Sequence, residues 1–218
     1  MLKSMEKFFS SVLDLVLPRR TDFQVVEKLD EKAFSTLQKA LPVAGMDFIS
    51  ALFSYKDNRV RAVIWELKYR ENTAPLDHIG RLLFEEIFSA ISDLILFDGD
   101  AQFLLIPIPM TDSRRAERGY NQSEYIAKAI LENDIQHIFL YAPQWFAKIK
   151  ETPRQSRSES KQERISNLVD CFNASEKVSG KYVILIDDVV TTGSTLAEAR
   201  KTLLAAGARD VLAFTIAH

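Results

Sequence analysis

Residues 183–195 read Val183-Ile184-Leu185-Ile186-Asp187-Asp188-Val189-Val190-Thr191-Thr192-Gly193-Ser194-Thr195. The continuous apolar run from Tyr182 to Ile186 is typical of a strand buried in a parallel sheet. It ends in two adjacent carboxylates, Asp187 and Asp188, and open α/β sheets bind their ligands at the carboxyl ends of their strands. We therefore predict an α/β protein with a ligand site at the end of this strand.

Residues 191–195, which follow Val189-Val190, are small, and four of them carry hydroxyl groups. They lead into a helix predicted from Ser194 to about Ala206, whose positive end adds about 0.3–1 kcal/mol to the binding of an anion. Gly193 allows the backbone to turn tightly so that successive N–H groups face one point. Charge-assisted hydrogen bonds of about 1.5–3 kcal/mol each would supply the remaining affinity. The predicted phosphate-binding residues are Thr191, Thr192, Gly193, Ser194 and Thr195.

Two carboxylates beside a phosphate would repel it unless they bind another part of the ligand. Sugar hydroxyls or a hydrated Mg²⁺ fit this requirement, because both match oxygen acceptors. The pattern therefore predicts a sugar phosphate, with its hydroxyls on Asp187 and Asp188. The alternative is an ordinary strand-to-helix turn with capping side chains. One cap would explain one or two of these residues, but not two acids and four hydroxyls together.

The remaining chain supports an alternation of helices and strands. Strand, helix and strand in so few residues imply a parallel crossover. The predicted elements are a helix from Asn58 to near Arg70, a helix after Pro75 with Ile79, Leu83, Ile87, Ile91 and Leu94 on one face, a strand over Phe103–Ile106 that stops at Pro107, a helix to about Leu131 with Asn121 and Glu124 as its capping pair, and a strand over Val211–Ile216.

Composition excludes several classes of protein and site. The 218 residues carry a net charge of −2, which excludes a globally basic nucleic-acid wrapper, and one cysteine excludes an internal disulfide. The seven glycines are too far apart for a dinucleotide fingerprint or a P-loop. The longest apolar run, Phe103–Met110, is too short to span a bilayer. We expect a cytoplasmic protein.

Two segments have a composition of their own. Residues 1–50 predict a largely helical N-terminal appendage, with Met5, Phe8, Val12 and Val16 at helical spacing, and residues 51–218 predict the ligand-binding domain. Lys148–Arg164 holds six basic and three acidic side chains. Between Pro153 and Glu163 its only apolar residue is the proline itself. It predicts a mobile loop that closes over a bound ligand, or else an inert surface loop.

The thirteen residues quoted above resemble the type I phosphoribosyltransferases, whose defining element is a hydrophobic strand, two acids, two small apolar residues and a Thr-Thr/Ser-Gly-x-Thr turn. Further motifs are similar to those of the ComF-like competence family, in the same order: Trp65–Tyr69, Pro107–Pro109, Arg118–Gln122, and Gln155 followed by Glu163-Arg164, Asn167 and Phe172. Such proteins usually begin with a four-cysteine zinc finger, but the corresponding region around Leu17–Arg20 has no cysteine. Zinc binding is therefore not carried over.

The resemblance implies a parallel sheet flanked by helices and a site for phosphoribosyl pyrophosphate with Mg²⁺. A nitrogen nucleophile would attack the anomeric carbon and pyrophosphate would leave. Asp187 and Asp188 would be catalytic and hold the ribose hydroxyls, contacting the metal only through water, and Thr191–Thr195 would hold the 5′-phosphate. The implied pyrophosphate-binding residues are Lys68, Pro107, Ile108, Arg114 and Arg118, with Arg115 as a further candidate cation.

Three functions stay open at this point. The first is a phosphoribosyltransferase with an unidentified acceptor. The second is a regulator that binds phosphoribosyl pyrophosphate or a nucleotide without turnover, which is favoured by the lack of an identifiable acceptor pocket. The third is a single-stranded DNA accessory factor in DNA uptake, with basic residues at 114–118 and 148–164 beside Tyr120 and Trp145. A second copy of the chain, as a homodimer, is an open partner.

Overall fold

The structure is a computed structural model and describes residues 21–150 and 170–218. The predicted helix over residues 5–16 and most of the predicted mobile loop lie outside the described residues. The strands in chain order are β1 (Ile49–Phe53), β2 (Phe103–Pro107), β3 (Phe139–Tyr141), β4 (Phe146–Lys148), β5 (Phe172–Ala174), β6 (Tyr182–Val189) and β7 (Asp210–Ala217). The helices are α1 (Thr21–Glu27), α2 (Glu31–Ser35), α3 (Asn58–Tyr69), α4 (Leu76–Phe97), α5 (Asp112–Arg118), α6 (Gln122–Leu131) and α7 (Ser194–Ala205).

Five strands form one parallel sheet in the order β1-β7-β6-β2-β3, and β4 pairs with β5 as a separate antiparallel ribbon. Alternate residues of the central strands pack against different helices. In β6, Ile184 and Ile186 join the core formed with α3, α4 and α6, whereas Val183 and Leu185 join the core formed with α7. The predicted α/β class, a parallel sheet flanked by helices, is confirmed.

The strands that carry the site are longer than the sequence predicts. β6 continues for three residues beyond Ile186, because β7 runs beside it and pairs Asp187 with Thr215 and Val189 with Ala217. The two carboxylates therefore belong to the strand itself. β1 crosses the predicted domain boundary at residue 50, and the division into two parts stays a prediction.

The predicted capping pair of α6 is half wrong. Asn121 does cap the helix, because its side chain accepts a hydrogen bond from the Ser123 amide at 3.1 Å. The Glu124 carboxylate, however, turns to the Arg115 guanidinium, at 3.0 and 2.5 Å. A charged partner on α5 outcompetes the backbone amide that a capping box would use.

Helices α4 and α6 cross in close contact at Gly80. A Cβ added there would lie 2.5 Å from the carbonyl oxygen of Ala129 and 2.8 Å from its Cβ. Overlap of this kind costs about 1–3 kcal/mol or more in a packed core. The intrinsic gain in helix propensity from Gly to Ala is only about 1 kcal/mol.

We expect Gly80→Ala to lower the free energy of unfolding in a urea titration, although alanine is the better helix former. Gly99→Ala is the matched control, because nothing lies within 4 Å of the Cβ it would add. Equal stability of the two variants would contradict the close crossing of α4 and α6.

Candidate functional site

The two carboxylates of β6 have different partners. Asp188 is 7% exposed, and its Oδ2 lies 2.9 Å from the Lys68 Nζ at the end of α3. Within residues 21–150 and 170–218, no hydrogen-bond donor is otherwise aligned on this buried oxygen. Asp187 accepts hydrogen bonds at Oδ1 from the Ser123 hydroxyl at 3.0 Å and from the Asp188 amide at 2.9 Å. The central strand therefore holds one ion-paired acid and one hydrogen-bonded acid.

Burial and nearby charges shift the pKa values of Asp187 and Lys68. Burial raises the pKa of Asp187 from 3.8 to about 7, and the Asp188 carboxylate raises it too, against the hydrogen bonds and Lys68. Burial lowers the pKa of Lys68, but the nearby Asp188 outweighs that effect and leaves the pKa above its usual value. Lys68 and Asp188 thus form an ion pair, while Asp187 changes charge near neutral pH.

The loop after β6 leaves its amide groups open. Gly193 has a φ of +73°, the left-handed region that glycine adopts without strain, and directly precedes α7. The Thr192 and Ser194 hydroxyls lie 2.9 Å apart. In the described part of the chain, the N–H groups of Thr191, Thr192, Gly193 and Thr195 donate to no other group. Open amides at a helix N-terminus are the arrangement that binds phosphate in many proteins.

The segment Arg118–Gln122 ties the neighbouring parts of the site together. The Tyr120 hydroxyl donates to the Leu67 carbonyl at 3.0 Å and accepts from the Glu71 amide at 3.0 Å, which holds the end of α3. The Asn121 side chain donates to the Ile108 carbonyl at 3.0 Å, which holds the turn after β2. The sequence motifs at 65–69, 107–109 and 118–122 are therefore one contact network in space.

The residues predicted to bind pyrophosphate differ in the contacts that they make. Pro107 ends β2, and the Ile108 amide is occupied, because it donates to the Ile186 carbonyl at 2.8 Å. Arg118 donates to the Gln122 side chain at 2.9 Å and lies 5.7 Å from the Tyr69 ring. Lys68, as described above, faces the acids.

Arg115 is paired with Glu124, and Arg114 interacts electrostatically with Lys148. The assignment of these residues to pyrophosphate stays a prediction.

Two contacts at the site were not predicted from the sequence. Ser123 follows the 118–122 motif but carries no pattern that would indicate its bond to Asp187. Lys148, at the end of β4, lies 5.6 Å from the Phe172 ring. Burial lowers the pKa of Lys148, and Cys171, Arg114 and Asp187 act on it electrostatically. Its basic character was noted only as part of the predicted loop.

The donor set suits a hydrated cation. In the ranges that the structure describes, no three His, Cys, Asp or Glu side chains cluster as direct metal ligands. Mg²⁺ usually keeps several waters and takes one or two carboxylates together with substrate phosphates. The Asp187–Asp188 pair supplies carboxylates for that mode of binding, whereas the buried Oδ2 of Asp188 is occupied by Lys68.

Among the helices of residues 21–150 and 170–218, none combines the length and apolar character that crossing a membrane requires.

We expect Asp187→Asn to stabilise the protein above pH 7 and to lose this advantage toward pH 4. Folding raises the pKa of Asp187, so the folded protein takes up a proton and wild-type stability falls as the pH rises between 3.8 and about 7. The gain above pH 7 should be about 1–4 kcal/mol. Urea unfolding across this pH range measures it, with Asp93→Asn at an exposed position as control. A gain that does not depend on pH would contradict the raised pKa.

Comparison with known proteins places this geometry in a family. Residues 101–217, more than half of the chain, match the phosphoribosyl transferase domain. The chain is 30% identical over 138 residues to Competence protein ComFC of Streptococcus pneumoniae (strain ATCC BAA-255 / R6), covering 63% of this chain and 57% of that relative. It is 29% identical over 152 residues to DNA utilization protein YhgH of Escherichia coli (strain K12), covering 68% and 63% respectively.

A third relative is Competence protein ComFC of Bacillus subtilis (strain 168), which is 33% identical over 120 residues, covering 54% of this chain and 45% of the relative. The chain thus spans less than two thirds of the length of these curated relatives. With the parallel sheet and the Asp-Asp strand end, the matches show that the chain belongs to the phosphoribosyl transferase domain family, as a ComF-like member of its type I group.

Proposed function

We propose that this protein binds phosphoribosyl pyrophosphate with Mg²⁺ and transfers the phosphoribosyl group to a nitrogen acceptor. The observation that carries the proposal is that the Asp187–Asp188 pair is followed, after two valines, by the open amides of Thr191, Thr192, Gly193 and Thr195. A ligand that satisfies both must present hydroxyls beside a phosphate. Ribose 5-phosphate derivatives have this chemistry.

In the proposed complex, the 5′-phosphate accepts hydrogen bonds from the amides and hydroxyls of residues 191–195. The ribose hydroxyls donate to Asp187 and Asp188. The Lys68 ammonium group lies 2.9 Å from the Asp188 Oδ2 and offsets its charge, which lowers the cost of burying that carboxylate. The ribose is thereby held with its anomeric carbon toward the turn that follows β2.

The pyrophosphate would lie against that turn. The Ile108 amide is occupied, but the next two N–H groups, of Met110 and Thr111, donate to nothing else in the part of the chain that the structure describes. Lys148 supplies positive charge that interacts with Asp187, and Arg114 in turn interacts with Lys148. Backbone donors and cations together are what a polyanion needs.

The transfer step forms one bond and breaks one. The lone pair of the acceptor nitrogen forms a bond to the anomeric carbon, the bond from that carbon to pyrophosphate breaks, and its electron pair leaves on the pyrophosphate oxygen. The acceptor nitrogen then loses a proton to solvent. The positive charge that develops on the ribose, as in glycoside chemistry, lies close to the two carboxylates. Asp187 and Asp188 would hold Mg²⁺ through its bound waters, and the ion would supply positive charge to the pyrophosphate.

Calorimetry with phosphoribosyl pyrophosphate and Mg²⁺ tests the proposal. We expect Thr192→Ala to weaken binding about tenfold, since it removes one hydrogen bond to a charged group. Thr202→Ala, in the last turns of α7, is the matched control, because its hydroxyl donates to the Glu198 carbonyl instead. Absence of binding by the wild-type protein would overturn the proposal. Binding without pyrophosphate release, when bases or ammonia are offered, would assign the site to a regulator.

A second candidate function is binding of single-stranded nucleic acid, which a surface beside the site favours. Arg70, Trp65, Tyr69 and Arg118 follow one another as cation, ring, ring and cation, at distances of 5.8, 5.2 and 5.7 Å. Tyr69 is 59% exposed. Aromatic faces flanked by guanidinium groups stack bases and hold phosphates. The printed names of the relatives refer to competence and DNA utilization.

We expect a single-stranded oligonucleotide to bind with an affinity that falls with log salt concentration, and Tyr69→Ala to weaken it by about 1–3 kcal/mol. Fluorescence anisotropy measures both. Phe97→Ala is the control, because Phe97 is 85% exposed at the end of α4 and has no place in this surface. A salt slope near zero, or equal loss in both variants, would exclude this function.

A further inference from the structure

A turn directly before β1 places Met46 against the phosphate loop, which is the segment of residues 191–195. The Met46 amide donates to the Val43 carbonyl at 3.0 Å, and the Ile49 amide donates to the Met46 carbonyl at 3.0 Å. These bonds fold the segment directly before β1. Met46 is partly buried and packs on the apolar cluster that also contains Val190 and Leu196, which flank the phosphate loop in sequence. The segment before β1 is therefore built against the loop after β6.

The contact between Met46 and Gly193 is close. A Cβ added to Gly193 would overlap the Met46 Sδ, and it would lie 3.1 Å from the Met46 Cε and 3.4 Å from the Ile49 Cδ1. The thioether therefore occupies the space that any side chain at position 193 would need. Gly193 is required for two separate reasons: its positive φ, and this neighbour.

The Met46 contact acts on Gly193, the residue of the loop whose backbone has the widest conformational freedom. Glycine populates both signs of φ about equally, so an unsupported glycine would let the peptide groups beside it rotate. Those groups carry the Gly193 and Ser194 amides, at the N-terminal end of α7. A loop that must be ordered on binding loses affinity, whereas one held in its bound conformation does not.

We propose that Met46 is a positioning residue of the phosphate site, which holds Gly193 in its left-handed conformation and so keeps the loop amides aimed at the ligand phosphate. The inference rests on the proposed function for the identity of the ligand. The contact itself is independent of that function. Met46 makes the segment before β1 part of the site, although it lies almost 150 residues before the loop.

Binding measurements test the functional part. We expect Met46→Ala to weaken the binding of phosphoribosyl pyrophosphate with Mg²⁺ about tenfold in calorimetry, because the loop must then be ordered by the ligand. Met46→Leu, which has nearly the same volume, should stay close to wild type. Leu41→Ala is the matched control in the same segment, since Leu41 is 77% exposed. Wild-type affinity of Met46→Ala would overturn the inference.

A double-mutant cycle on stability tests the contact separately. Gly193→Ala should lower the urea midpoint in the wild-type background through both the positive φ and the overlap with Met46. In the Met46→Ala background only the strain from the positive φ remains, so Gly193→Ala should lower the urea midpoint by less. If Gly193→Ala lowers the urea midpoint equally in the two backgrounds, the contact between Met46 and Gly193 is contradicted. If wild type binds no phosphoribosyl pyrophosphate, the proposed function fails, while the cycle still decides whether Met46 holds Gly193.

Discussion

The ion pair between Lys68 and Asp188 is the interaction on which the site depends. Two acids on adjacent residues of a largely buried strand would repel each other, and burial favours their neutral forms. The Lys68 ammonium group, 2.9 Å from Asp188, offsets the negative charge of one of them. The other takes its charge only near neutral pH. The end of α3 must therefore stay fixed relative to β6 for the site to keep its electrostatic character.

Much of the surrounding structure serves to fix that helix end. The Tyr120 hydroxyl bonds the Leu67 carbonyl in the last turn of α3 and the Glu71 amide just after that helix. The Asn121 side chain bonds the turn after β2 and also caps α6. Ser123, in the first turn of the same helix, reaches Asp187. One short segment thus joins the helix that carries the cation, the strand that carries the acids and the turn proposed for pyrophosphate. The segments around residues 67, 108 and 120, which resemble family motifs in the sequence, are therefore joined by direct hydrogen bonds.

The sequence was sufficient where a pattern is local. The continuous apolar runs of β2 and β6, the helical periodicity in α3 and α4, and the Asp-Asp-to-Gly-Ser succession all follow from neighbouring residues, and the structure agrees with each element. It failed where the partner is distant in sequence. The hydrogen bond from Ser123 to Asp187 joins residues 64 apart in the sequence. Strand β6 extends beyond its apolar residues because β7 continues to pair with it. Helix α5 was missed because none of its residues is buried, so it carries no apolar stripe.

The central claim is that the loop after β6 receives the 5′-phosphate of a ribose whose hydroxyls meet Asp187 and Asp188. A crystal structure of the protein with phosphoribosyl pyrophosphate and Mg²⁺ tests it most directly. The account predicts the phosphate within hydrogen-bonding distance of the amides of residues 191–195, with the ribose hydroxyls on the two aspartates. A phosphate bound elsewhere, with those amides turned into the protein, would contradict it.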